Sequence, residues 1–330
     1  MPTYKIKHIT HYKYEQAVYD SINQIMLYPF QDYLQKVIFH EIRITNKPAI
    51  EVFTDKFGNS LGIFSILSPH DELNVTSQLE VEVLPLVEPE FSISIDDQWK
   101  QYEGLAKHFM YKDYLTIESI KNMASIEEKV NELLDTSQSP LQNAQAFSKY
   151  INQNFEYNQI VTSVETEVDE IWNIKAGVCQ DFAHVLLVLL RSIKIPSRYV
   201  SGYICPRHDE FRGAGATHAW VEIYIPDYGW IGLDPTNDCL ASDKHVRLAV
   251  GRYFNDCTPV KGIFKGNLNH VLEVSVTVED ADSSVKKSFD PNAFQNQPPV
   301  PPAFVSQVVA PTHNDNSYQM HKQMQIQMQQ

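Results

Sequence analysis

Three residues of this chain have the types and order needed for acyl transfer through a thiol: Cys179, His218 and Asp234. Cys179 stands in AGVCQDFAHVLLVLLRSIKIP, just ahead of Phe182, Val185, Leu186, Leu189 and Leu190. That spacing predicts a helix apolar on most sides, with the cysteine at or near its first turn. Gly177 permits a sharp turn before it. The free N–H groups and the dipole at a helix start favour an anion. Thiols so placed, above all beside a histidine, generally ionise at pH values of about 3.5–7.5. The thiolate is the form that attacks a carbonyl carbon. The competing reading is packing, because cysteine is among the most buried residue types.

THAWVEIYI (217–225) alternates as a strand. Ala219, Val221, Ile223 and Ile225 occupy one face, and His218, Trp220, Glu222 and Tyr224 the other. The apolar face should meet the core and the His218 face a cleft. PDYG (226–229) is turn chemistry, so WIGLD (230–234) should fold back as the second strand of a hairpin. Register then decides the chemistry. A connection with an odd number of residues sets Trp220 opposite Asp234 and makes His218 its diagonal neighbour, about 7–8 Å away by backbone. An even number turns Asp234 to the other face. The sequence therefore predicts an odd loop. Asp234 would accept from one ring nitrogen of His218, and the other nitrogen would face Cys179. Each residue also has a plainer role: His218 as a strand hydrogen-bonder, Asp234 as a turn starter before Pro235.

Neighbouring polar residues divide similarly. Asp181 falls in the first helical turn, where a carboxylate complements the dipole. His184 is expected to make a buried structural hydrogen bond rather than act as a second base. Trp172 and Trp220 either line a cleft or pack. The Cys179 N–H is the natural first oxyanion donor, with Gln180 a candidate for the second. Cys205, Cys239 and Cys257 read as structural. Cys205-Pro-Arg-His208 has C-x-x-H spacing without a second ligand pair, so no zinc site is expected.

Taken together, GVCQDFAH, IPSRYVSGY and THAWVEIYIPDYGWIGLDPTND resemble the core of the transglutaminase-like superfamily. The likeness is nearest to bacterial transglutaminase-like proteins described as candidate cysteine proteases, which begin with a β-rich domain. The strong motif block spans about 172–238, and a weaker likeness covers roughly 1–280. The resemblance implies an α+β, papain-like core with Cys179 as nucleophile, His218 as base and Asp234 as the third member. Two positions depart from it. Lys194 stands where the family often has glycine before Ile-Pro, and a left-handed backbone there would cost a lysine about 1 kcal/mol or more. Thr217 replaces a residue that is frequently bulky, which bears on what the cleft admits.

The elements that must position these residues are legible in outline. Residues 1–90 alternate with period two (TYKIK, EIRIT, LEVEV) and predict a β-sandwich-like domain. LPLVEPEFS is a connector. Residues 125–135 and the stretch after Ser139-Pro140 read as packing helices, the latter with Ser139 as N-cap. LEVSVTVE (272–279) should close a sheet, returning to the first domain. We thus divide the chain into 1–90, a core at 91–280, and a tail at 281–330. From 291 onward the tail carries six prolines and nine glutamines and is expected to be disordered.

Bulk properties bound the function. With 330 residues and 43% apolar content the chain can bury a sizeable core. Its net charge of −14 argues against nucleic acid or an anionic membrane as partner. No run of 18 apolar residues and no secretory pattern at the N-terminus are present, so the cytoplasm is the expected location. Nothing calls for a metal or organic cofactor. The expected activity is thiol-dependent hydrolysis of a protein or peptide substrate. Glutamyl transfer to an amine, or a binding module with a vestigial triad, are the alternatives.

Overall fold

Period-two patterning dominates the first eighty residues because β1 (Thr3–Ile25) is one long strand with alternate residues buried. The chain is described here as a computed structural model at residues 1–162, 166–205, 212, 217–265 and 268–281. β1 serves two sets of partners. Its first half pairs with β5 (His70–Val83) and β14 (His270–Asp280), with Tyr4 opposite Val81 and Asp280. Its second half pairs with β4 (Ser60–Ile66) and β13 (Val260–Lys265), with Ile25 opposite Gly62 and Val260. The register shifts between Lys13 and Val18, where one set of pairings gives way to the other. β2 (Gln35–Ile44) and β3 (Glu51–Thr54) complete a curled antiparallel sheet of seven strands. The alternating LEVSVTVE segment does return to this sheet, as β14. The Pro/Gln-rich tail lies outside the described residues.

Helices follow from the connector onward. They are α1 (Ile95–Leu105), α2 (Lys112–Leu115), α3 (Met123–Leu133), α4 (Pro140–Asn154), α5 (Val168–Ile174) and α6 (Cys179–Ser192). Ser139 caps α4 as its spacing predicts. Its hydroxyl accepts from the Gln142 N–H at 3.2 Å, and Gln142 Oε1 accepts from the Ser139 N–H at 2.9 Å. β6 (Glu156–Tyr157) and β7 (Ala176–Gly177) form a short parallel pair between them. Lys194, just past α6, has φ 63°, so the left-handed backbone is occupied without glycine.

The second sheet runs β11–β10–β9–β8–β12, with β8 Ser197–Ile204, β9 Thr217–Ile225, β10 Gly229–Asp234, β11 Cys239–Leu240 and β12 His245–Gly251. It is the middle layer of the molecule. On one face Phe182, Val185, Leu186 and Leu189 of α6 join Tyr199, Val221 and Ile223 in one core. On the other, Val200, Trp220 and Val250 pack against Phe30 and Phe57 of the N-terminal part. Within the core α6 is buried almost all round, which is why its sequence is apolar on most sides.

β12 ends that sheet, and its outer backbone groups would be orphaned there. Two buried side-chain amides from the N-terminal part satisfy them. Gln35 accepts from the Arg247 N–H at 2.7 Å and donates to the Arg247 carbonyl at 2.9 Å. Asn59 does the same at Val250, at 2.8 and 2.7 Å. Each amide imitates one rung of a missing strand. Replacing Asn59 by Ala strands two buried backbone groups. Chemical denaturation should show a loss of about 2–5 kcal/mol; a loss below about 0.5 kcal/mol would mean water takes over the rung.

Three histidines packed within the fold resist protonation. Burial lowers the pKa of His8, His184 and His270 to about 4, with Arg191 adding to the effect at His184. Unfolded rings bind protons below about pH 6.5, whereas these folded rings resist protonation until about pH 4. Stability is therefore full above pH 6.5 and falls as the pH drops toward 4, by about 3 kcal/mol per ring. Thermal melts from pH 7 to pH 4 should show that fall. His270→Phe should flatten part of it.

Candidate active site

The turn leading into α6 is built to place a cysteine at a helix start. Lys175 takes a left-handed backbone (φ 53°) and ends α5. The chain then pairs with β6, Tyr157 lying opposite Gly177. Gly177 is required by close approach, since a Cβ there would overlap the Asp181 carboxylate. Asp181, in the first turn, accepts from the Val178 N–H at 2.9 Å and from the Thr162 hydroxyl at 2.7 Å. Val178 offers no capping oxygen of its own, so Asp181 does that work from inside the helix. Burial raises the Asp181 pKa to about 6, against the lowering effect of these two donors. Cys179 follows as the first residue of α6 and is 4% exposed.

The hairpin delivers the other two groups. β9 and β10 are joined by three residues, 226–228, and Gly229 pairs with Ile225 and Leu233 with Val221. The next step in that register sets Asp234 across from Trp220, as an odd loop demands. Left-handed backbone at Asp227 (φ 64°) and Gly229 (φ 111°) makes the tight reversal. His218 Nε2 then lies 2.8 Å from Asp234 Oδ2, and neither side chain is exposed.

Asp234 performs both roles its sequence context suggested. Oδ1 accepts from the Thr236 and Asn237 N–H groups at 2.9 and 3.3 Å and starts the turn. Oδ2 accepts from His218, from Asn237 Nδ2 at 2.7 Å and from His245 Nε2 at 3.2 Å. Burial alone would raise its pKa, but the two histidines hold the carboxyl well below the usual carboxylate range. For His218, burial works to lower the pKa. Asp234, and then Cys179, overcome it and raise the ring to about 10. His218 Nδ1 is buried and makes no hydrogen bond of ordinary geometry. Cys179 is among the groups that raise the pKa of the ring.

Several expectations need correction or refinement. The His218 face of β9 does not open onto a cleft: Trp220 and Glu222 are buried there, because the N-terminal part covers that face. Trp220 packs and stacks on the His218 ring at 6.2 Å. Trp172 also packs, beside Phe155, with its N–H donating to Ser125 at 2.8 Å. His184 accepts from the Phe254 N–H at 3.2 Å, a structural bond. Gln180 is buried with Oε1 unpartnered. Burial raises the thiol pKa at Cys205 and Cys257, and at Cys239 to about 12. All four cysteines are free thiols. His208 lies outside the described residues.

Three neighbours escaped the sequence reading. His245 and Asn237 touch Asp234 from β12 and from the turn. Tyr157 packs its ring edge on Phe182 at 6.2 Å, and its hydroxyl pKa is raised by burial and then by Cys179. A lone histidine opening HVRLAVG carries no periodic signal, and Tyr157 reaches the site only through a two-residue parallel pair. The ligand atoms of His218, Asp234 and His245 lie within 4.8 Å of one another. Hydrogen bonds between them account for that convergence.

The Bacterial transglutaminase-like N-terminal region matches residues 4–82, and the Transglutaminase-like superfamily core matches residues 127–235. An uncharacterized protein of Mycobacterium leprae is 30% identical over 277 residues, covering 83% of this chain and 97% of that one. The chain belongs to the transglutaminase-like superfamily. A candidate cysteine protease from Cytophaga hutchinsonii shares the fold, with a TM-score of 0.68 at 19% identity over 86% of this chain and 91% of that one. A shorter match, 34% identical over 76 residues, is to the protein-glutamine gamma-glutamyltransferase of Pseudomonas aeruginosa; it covers 21% of this chain and 11% of that one. No described helix is long and apolar enough to cross a membrane.

Asp181 supplies a stability test of the helix start. Its folded pKa of about 6 lies above the value of about 4 expected when unfolded. The ionised carboxylate therefore costs stability above pH 6, and the cost disappears as the pH falls to 4. Asp181→Asn keeps an oxygen for Val178 and Thr162. It should gain up to about 3 kcal/mol at pH 7 and nothing at pH 4, read by denaturation at both values. A loss at pH 7 would show that the charge itself holds the helix start.

Proposed function

We propose that the protein hydrolyses peptide or amide bonds of a protein or peptide substrate through an acyl-thioester on Cys179, with His218 and Asp234 completing a triad. The observation that carries this reading is the fully buried 2.8 Å contact between His218 Nε2 and Asp234 Oδ2. It spends one ring nitrogen on the carboxylate and leaves Nδ1 for the sulfur. A ring proton held to about pH 10 suits an imidazolium–thiolate pair. The thiolate attacks the carbonyl carbon, and the Cys179 N–H at the helix start stabilises the oxyanion. His218 gives its proton to the leaving amine. It then takes a proton from the water that cleaves the thioester, and the acid and the free thiolate are regenerated. Such chemistry needs a reduced thiol, and a cytoplasmic setting is the one we favour.

A second reading has its own support in the match to the Pseudomonas aeruginosa gamma-glutamyltransferase. There an amine would replace water at the thioester, and the same three residues would serve. Hydrolysis is preferred because the relative that shares the fold over most of its length is described as a candidate cysteine protease.

Incubating the protein with a glutamine-containing peptide and a labelled amine separates the two. Release of acid without label supports hydrolysis; incorporated label replaces it with transfer. Cys179→Ala should abolish either product, a drop of at least about 10³-fold, and shift stability by only about 1 kcal/mol. If Cys179→Ala unfolds the protein and the intact thiol never reacts with iodoacetamide, Cys179 only packs and the enzymatic reading is wrong.

A further inference from the structure

We propose that His245 is a positioning residue for this site, holding the Asp234 carboxylate in the plane that His218 needs; the inference rests on the triad reading above. Asp234 Oδ2 takes its contacts from two histidines on different strands, His218 of β9 at 2.8 Å and His245 of β12 at 3.2 Å. β9 and β12 are not neighbours, since β8 lies between them. His245 therefore ties the carboxylate to a part of the sheet that the hairpin itself does not reach.

The ring of His245 is fixed from its other side. Its Nδ1 accepts from the Ser242 N–H at 3.4 Å, so that nitrogen carries no proton. The remaining proton sits on Nε2, which makes His245 a donor to Asp234. Trp220 packs edge-on against the His245 ring at 5.1 Å and stacks on His218 at 6.2 Å, so one indole wedges both rings. Ser242 in turn accepts from the Leu86 N–H through its hydroxyl at 2.9 Å. Leu86 belongs to the connector between β5 and α1. The chain Leu86, Ser242, His245, Asp234, His218 thus links the placement of the N-terminal part to the orientation of the base.

The role is one of geometry. With Oδ2 held by His245 and Asn237, and Oδ1 by two backbone N–H groups, the carboxylate has no free rotation. His218 is kept in one ring orientation, with Nε2 on the carboxylate and Nδ1 left for the sulfur. Loss of the His245 donor frees one side of Oδ2 and lets the base wander, and a partner once removed from the reacting groups commonly matters about tenfold or more.

The experiment measures iodoacetamide alkylation of Cys179 in the full chain at pH 7, with Cys179→Ala subtracting the other three thiols. His245→Phe removes the donor at similar volume, and His245→Gln restores an N–H. Expected are a roughly tenfold slower reaction for His245→Phe, measured well below its lowered melting temperature, and recovery of most of the rate in His245→Gln. Equal rates in wild type and His245→Phe overturn this inference alone. A wild-type Cys179 no faster than an ordinary thiol overturns the triad reading and this inference with it. Should His245→Phe fail to fold, nitrogen-15 spectra of the wild-type histidines decide. The Nε2–H tautomer at His245 supports the proposal, and a proton on Nδ1 overturns it.

Discussion

A carboxylate with no solvent at all is the constraint from which the rest of this structure follows. Asp234 is fully buried, and an isolated charge in that position would simply take up a proton. It stays ionised because donors converge on it from four directions: the His218 ring, the His245 ring, the Asn237 amide and the N–H groups of its own turn. That convergence fixes the β9–β10 register, requires an odd connection between the strands, and keeps the His218 ring in one orientation. The raised pKa of His218 is the same interaction seen from the other partner.

Enclosure of the carboxylate depends on the order of layers. One face of the five-stranded sheet carries α6, the other is covered by Phe30 and Phe57, and the amides of Gln35 and Asn59 close its β12 edge. The N-terminal strands are thus part of the wall around the site. Their curled sheet also takes in β13 and β14 from the far end of the chain. Membership of the transglutaminase-like superfamily accords with this arrangement: the N-terminal region and the core are matched by separate family models, and the fold relative covers both.

The start of α6 shows a second economy of the same kind. A valine sits where a capping serine or aspartate is usual, and Asp181 reaches back to serve its N–H. Gly177 is small because that carboxylate lies against it. The result is a helix start capped from within by a buried acid whose pKa is displaced upward to about 6.

Much of this was legible in one dimension. Alternation in TYKIK and LEVSVTVE marked strands because their faces meet different media. Ser139-Pro140 marked a helix start because of the orphan N–H groups there. The turn chemistry of PDYG, with the alternation on either side, marked a hairpin between His218 and Asp234, while the three-residue connection that sets both on one face belongs to the fold. Other features depended on which segments meet across long separations. That the His218 face is a buried interface and not a cleft was decided by Phe30 and Phe57, some 160 or more residues earlier. His245 and Tyr157 reach the site only by sheet order and a short parallel pair. Local pattern records the environment each element prefers; it does not record which partner supplies that environment, and that choice belongs to the folded chain alone.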